Sequence, residues 1–66
     1  MTLKDIQKRL DAIHAVAHDD EEAHAMEDAL HREVLRAIAD GAVADPRHAA
    51  RLALLSGDID FARWCA

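Results

Sequence analysis

The chain has 66 residues, a formal net charge of −5 and one cysteine, Cys65. That length allows a single domain, residues 1–66, with one small core, and the lone thiol excludes an internal disulfide. No apolar run approaches the roughly 18 residues that mark a membrane-spanning helix, and a free thiol without a secretory signal reads as cytoplasmic.

Hydrophobic residues make up 52% of the chain, but fifteen of them are alanine. Only nineteen larger apolar residues remain, with one Phe, one Trp and no Tyr. A core this poor in bulky side chains supplies about 3–5 kcal/mol. Alanine recovers some contact energy by letting helices approach closely, and self-association buries a second face. The sequence therefore predicts a homodimer. Charge is uneven along the chain. Residues 19–45 carry nine acids against two bases, whereas residues 1–18 and 46–66 each carry three bases against two acids. An acidic middle argues against direct nucleic-acid contact, whose affinity comes from neutralising phosphates.

The first predicted element starts at Thr2, where Thr2 and Asp5 have the spacing of a capping box. Leu3, Ile6, Leu10, Ile13 and Ala17 then recur at intervals of three and four, an apolar seam on a helix ending near His18. Asp19 or Asp20 caps a second helix, whose first turn holds Glu21 and Glu22 where the helix dipole favours acids. Its apolar face is Ala23, Met26, Leu30, Val34, Ala37 and Ile38, and Gly41 stops it in a left-handed conformation. Arg32 and Arg36 lie opposite that face, within reach of Asp28 and Glu33. The short link between the two helices makes them an antiparallel hairpin.

Asp45-Pro46 opens a third helix through Ala49, Ala50, Leu52, Ala53 and Leu55 to Ser56, and Gly57 ends it. Asp58 then caps a short fourth helix holding Ile59, Phe61, Ala62, Trp64 and Cys65. The expected fold is all-α: a three-helix bundle, built as a helix 1–2 hairpin plus helix 3, with a short C-terminal helix.

Four groups of residues invite a chemical reading. His14 and His18 stand at i and i+4, and His24, Glu27, Asp28 and His31 share one flank of helix 2. In the hairpin His14, His18 and His24 can converge as ligands for zinc or nickel. Set against this are solvated or salt-bridged histidines and a proton-linked switch near neutral pH. The chain has no H-E-x-x-H motif and no cysteine pair, so His14, His18, His24, Glu27 and His31 stand as weak metal candidates, and no cofactor is expected.

The second group overlaps the first. Glu27 and His31 fall between Val34, Leu35 and Ile38 on a helical wheel, inside the apolar arc. They are either edge residues reaching water or a hydrogen-bonded pair that fixes helix register. Cys65, at a helix C-terminus beside a carboxylate, has a field that opposes the thiolate and reads as a small apolar side chain. The last stretch, Asp58 to Ala66, is apolar nearly all round as a helix. Ile59, Phe61 and Trp64 therefore either complete the core or form an interface, for which aromatic anchors are the usual means.

Residues 46–66, with a helix, a Ser-Gly-Asp turn and Ile-Asp-Phe-Ala-Arg-Trp, resemble the helix-turn-helix half of an ankyrin repeat. The resemblance covers a third of the chain without a second copy, and repeats need neighbours. The closing Asp-Phe-Ala-Arg-Trp-Cys-Ala and the Asp-Asp-Glu-Glu-Ala-His segment also resemble small uncharacterised proteins of actinobacteria and their phages. That resemblance implies a cytoplasmic accessory protein and carries no activity or site residues. The chain contains no phosphate loop, nucleophile elbow or basic stripe. The expected function is a non-enzymatic protein-interaction module that binds a host protein or itself. The alternatives are an acidic nucleic-acid mimic presenting Asp19 to Glu33, or a His/carboxylate metal-binding protein.

Overall fold

The computed structural model describes residues 1–63. It is a bundle of three helices, α1 (Leu3–Ala15), α2 (Asp20–Ala39) and α3 (Pro46–Leu54), followed by a short 3-10 helix, Leu55–Asp58. Each α-helix packs on the other two. Among the described residues no helix is long and apolar enough to cross a membrane.

Local chemistry sets the helix starts. The Thr2 hydroxyl accepts from the Asp5 amide at 3.1 Å and the Asp5 carboxylate accepts from the Thr2 amide at 2.8 Å, a complete capping box. Those bonds from Thr2 hold the Asp5 carboxyl below the ordinary carboxylate range. Asp19 caps α2 through the Glu22 amide, and Asp45 caps α3 through the His48 amide with Pro46 following.

At the far end of α2 the Gly41 amide bonds to the Ile38 carbonyl, and the Ala42 amide bonds to the Ala37 carbonyl. Gly41 has φ +70°. This is a Schellman closure, which requires the left-handed backbone that costs an L-residue about 1–2 kcal/mol. A Cβ at Gly41 meets no atom within 4 Å, so that strain is the whole penalty. Gly41→Ala should therefore cost about 1 kcal/mol, or roughly 5 °C in melting temperature for a domain this size. Gly57→Ala serves as the control, because Gly57 has no positive φ and equally open space. It should leave melting unchanged or slightly raised, and equal losses in the two variants would contradict the cap.

Ile6, Leu10 and Ile13 of α1, Ala23, Leu30 and Val34 of α2, and Ala49 and Ala53 of α3 form the core. Leu3, Ala17, Met26, Ile38 and Leu52 pack around it. α1 stops at Ala15, earlier than the expected end near His18, and Val16–His18 make a turn. Glu33 pairs with Arg9 across the α1–α2 contact. The expected local pairing of Glu33 with the arginines of its own helix is thus replaced by a tie between helices.

The short fourth helix lies upstream of its expected position. Leu55–Asp58 is helical, whereas Ile59–Arg63 run without helix. The ankyrin-like second helix of residues 46–66 is accordingly not formed across Ile59–Arg63. The physical reason lies in the burial pattern. Ile59 and Phe61 are buried and Asp60 between them is exposed. That alternation belongs to an extended segment, in which side chains point to opposite sides in turn. As a helix the stretch has apolar residues on every side; extended, it has one buried edge. Trp64 and Cys65 lie outside the described residues.

Helix lengths make such a strap necessary. At 1.5 Å per residue, α2 is about 30 Å long and α3 only about 14 Å. α3 leaves the N-terminal half of α2 uncovered, and the strap runs back over it. The Ala62 amide donates to Asp20 Oδ1 at 3.0 Å, at the very start of α2.

Candidate functional site

Two features of the α2–α3 side stand apart from ordinary packing: a buried polar clamp beneath the strap and an open apolar groove beside it.

The clamp is built on Glu27, whose side chain is only 8% exposed. Arg63 donates from Nε to Glu27 Oε1 at 2.8 Å and from Nη2 to Oε2 at 3.1 Å, a two-pronged pairing. The same guanidinium reaches three backbone carbonyls, Ser56 at 2.9 Å and Ile59 and Phe61 at 3.1 Å each. It also lies 3.8 Å over the Phe61 ring. Ser56, fully buried, places its hydroxyl 2.8 Å from His31 Nε2. Among the described residues no buried side-chain nitrogen or oxygen lacks a partner.

Glu27 and His31 thus do occupy the apolar arc, but they do not bond to each other. Each holds a residue of the C-terminal segment, Arg63 for one and Ser56 for the other. Arg63 and Ser56 were not singled out by sequence. The available signal was Glu27 itself, since an acid on an apolar face requires a cation from elsewhere in the fold.

The Arg63 hydrogen bonds, helped by the Ser56 hydroxyl, hold the Glu27 carboxyl below its ordinary value despite burial; the Arg63 guanidinium is raised in return. A folded value below 4.5, the ordinary one, means that the stabilisation is fully present above pH 4.5 and disappears as pH falls through the folded value. Urea midpoints measured down through that range should fall, and Glu27→Gln should flatten the acid limb. An acid limb identical in the two proteins would contradict the clamp.

The groove lies between α2 and α3. Val34 and Ile38 of α2 and Ala50 and Ala53 of α3 line it, with His31, Leu35 and Leu54 completing the walls. Two alanines on α3 leave space that larger side chains would fill. Leu35 is 68% and Leu54 71% exposed, and Leu55 nearby is 50% exposed. Its volume is about 230 Å³ and it is open on one side. That is below the roughly 300–1,000 Å³ of enclosing small-molecule pockets.

The other sequence candidates are placed as follows. His14 and His18 are exposed, and His24 Nδ1 faces Asp28 Oδ2 of its own helix at 3.6 Å. His31 and Glu27 belong to the clamp. Among the described residues no three His, Cys, Asp or Glu side chains gather where a metal ion could be held, so His14, His18 and His24 do not converge. Ile59 and Phe61, weighed as interface anchors, are 2% and 8% exposed within this chain. Their burial in the chain's own core removes them from the free surface, and Trp64 lies outside the described residues. Several carboxylates needed by a nucleic-acid mimic are already engaged: Asp19 in a cap, Asp20 with Ala62, Glu27 with Arg63 and Glu33 with Arg9. Comparison with protein-family models, curated proteins and solved structures found no match for this chain.

Proposed function

We propose that this chain is a non-enzymatic protein-interaction module whose binding face is the α2–α3 groove. The observation that carries the reading is the exposure of Leu35 and Leu54 on either side of an apolar cleft. A small protein with so few large apolar residues leaves two of them in water at one place, and contiguous apolar surface of this kind marks binding sites. The residues with chemical potential support the same reading. Glu27, Arg63, His31 and Ser56 are occupied with one another or with backbone, in contacts that hold the strap down.

Affinity capture from source-cell lysate tests this reading. The wild-type chain should retain a discrete protein, and the Leu35→Glu/Leu54→Glu variant should lose at least about nine-tenths of it, as charges placed in an apolar binding core do. Both positions are exposed, so the variant should keep its helicity. Equal capture by the two proteins, or capture of nothing by either, would contradict the proposal.

A further inference from the structure

We infer that the groove takes an acidic amphipathic helix of a partner protein. The inference rests on the interaction reading above and adds the chemistry of the occupant. Its basis is the charge around the cleft. The chain is acidic overall, yet the α3 edge of the groove carries arginine. Arg47 precedes Ala50 by three residues and Leu54 by seven, so it shares their stripe of α3, and Arg51 stands one turn before Leu54. On α2, Arg32 and Arg36 lie on the face opposite the core, away from the groove. All four arginines are exposed, and none makes an ion pair among the described residues.

Of the neighbouring acids, Glu33 pairs with Arg9 and Asp45 caps α3, while Asp28, on the α2 side seven residues before Leu35, is exposed and faces only the His24 imidazole at 3.6 Å. Asp40 follows α2 and Asp58 lies in the 3-10 turn, and neither lines the cleft. The result is an apolar floor with the guanidinium groups of Arg47 and Arg51 along its α3 edge. A helix laying leucine-type side chains into the floor, with glutamate or aspartate on its flanks, matches both features. Electrostatic complementarity of this sort selects partners and raises association rates more than it adds affinity. A second copy of the chain suits the cleft less well. A two-fold interface sets the same patch against itself, which brings the arginine-bearing edge of one copy onto a patch that carries the same arginines.

The test uses two synthetic helical peptides with identical leucines at heptad a and d positions. One carries glutamate at the flanking positions and the other lysine, and binding to the full chain is followed by fluorescence anisotropy. The acidic peptide should bind at least about tenfold more tightly, with an affinity that falls as salt is added. Arg47→Glu/Arg51→Glu should reverse the preference, and Leu54→Ala should weaken both peptides alike. Helicity of each variant is checked by circular dichroism. Equal affinity for the two peptides, binding of neither, or a concentration-dependent dimer that blocks the peptides would each overturn the inference. The two proposals fail separately: a lysate partner that is lost with Leu35→Glu/Leu54→Glu but kept with Arg47→Glu/Arg51→Glu leaves the interaction module standing and removes its acidic occupant.

Discussion

Leu30→Ala is expected to leave the protein largely unfolded at 25 °C. Leu30 is fully buried at the middle of α2, within the single core shared by all three helices. Truncating a buried leucine costs about 2–5 kcal/mol, because the lost transfer energy is joined by the cavity left behind. A core of this size supplies only about 3–5 kcal/mol in all. The deletion therefore removes most of the stability. Circular dichroism should show the loss of helix, and urea titration should show a transition shifted to near zero denaturant. Leu54→Ala provides the contrast. Leu54 is 71% exposed, so its truncation should change stability by no more than about 0.5 kcal/mol. A Leu30→Ala protein with a wild-type midpoint would mean that the core lies elsewhere.

Arg63→Ala should produce the next largest loss. The substitution removes both bonds to Glu27, three bonds to backbone carbonyls and the stacking on Phe61. It also leaves a nearly buried carboxylate without its cation. Breaking a fully buried pair costs about 3–5 kcal/mol. The Arg63 side chain is 34% exposed, so water relieves part of the penalty. The expected cost is about 2 kcal/mol, or roughly 8–16 °C in melting temperature. Replacing both partners by methionine should recover much of it, because an apolar pair of similar bulk leaves no stranded charge. If Arg63→Ala melts like the wild type, the strap is not held by this residue.

How far the fold was legible follows from the range of the interactions involved. Caps act over three or four residues, and Thr2, Asp19, Gly41 and Asp45 all perform the roles their local chemistry suggests. The seams of α1 and α2 were equally plain, since a helical face repeats within one element. At the C-terminal segment the cap signal of Asp58 points to a helix, but the alternation of the residues after it decides the outcome. Ile59 and Phe61 with Asp60 between them follow a period of two, which an extended segment buries along one edge. The site divides in the same way. Glu27 and His31 were visible as polar intruders on an apolar face, but their partners lie 36 and 25 residues away in the chain. Periodicity carries no information at that separation. The groove was hidden for another reason: it exists because Ala50 and Ala53 are small where α3 faces α2, and a pattern of apolar positions does not distinguish a filled site from an empty one.

If the α2–α3 groove is where this protein meets a partner, site-directed photocrosslinking in source cells should capture that partner from the groove and not from the opposite side of the bundle. A benzophenone amino acid at position 54, on the rim of the groove, should yield one discrete adduct. The same probe at Lys8, exposed on α1, should yield none. No adduct from position 54, or the same set of adducts from both positions, would contradict the claim.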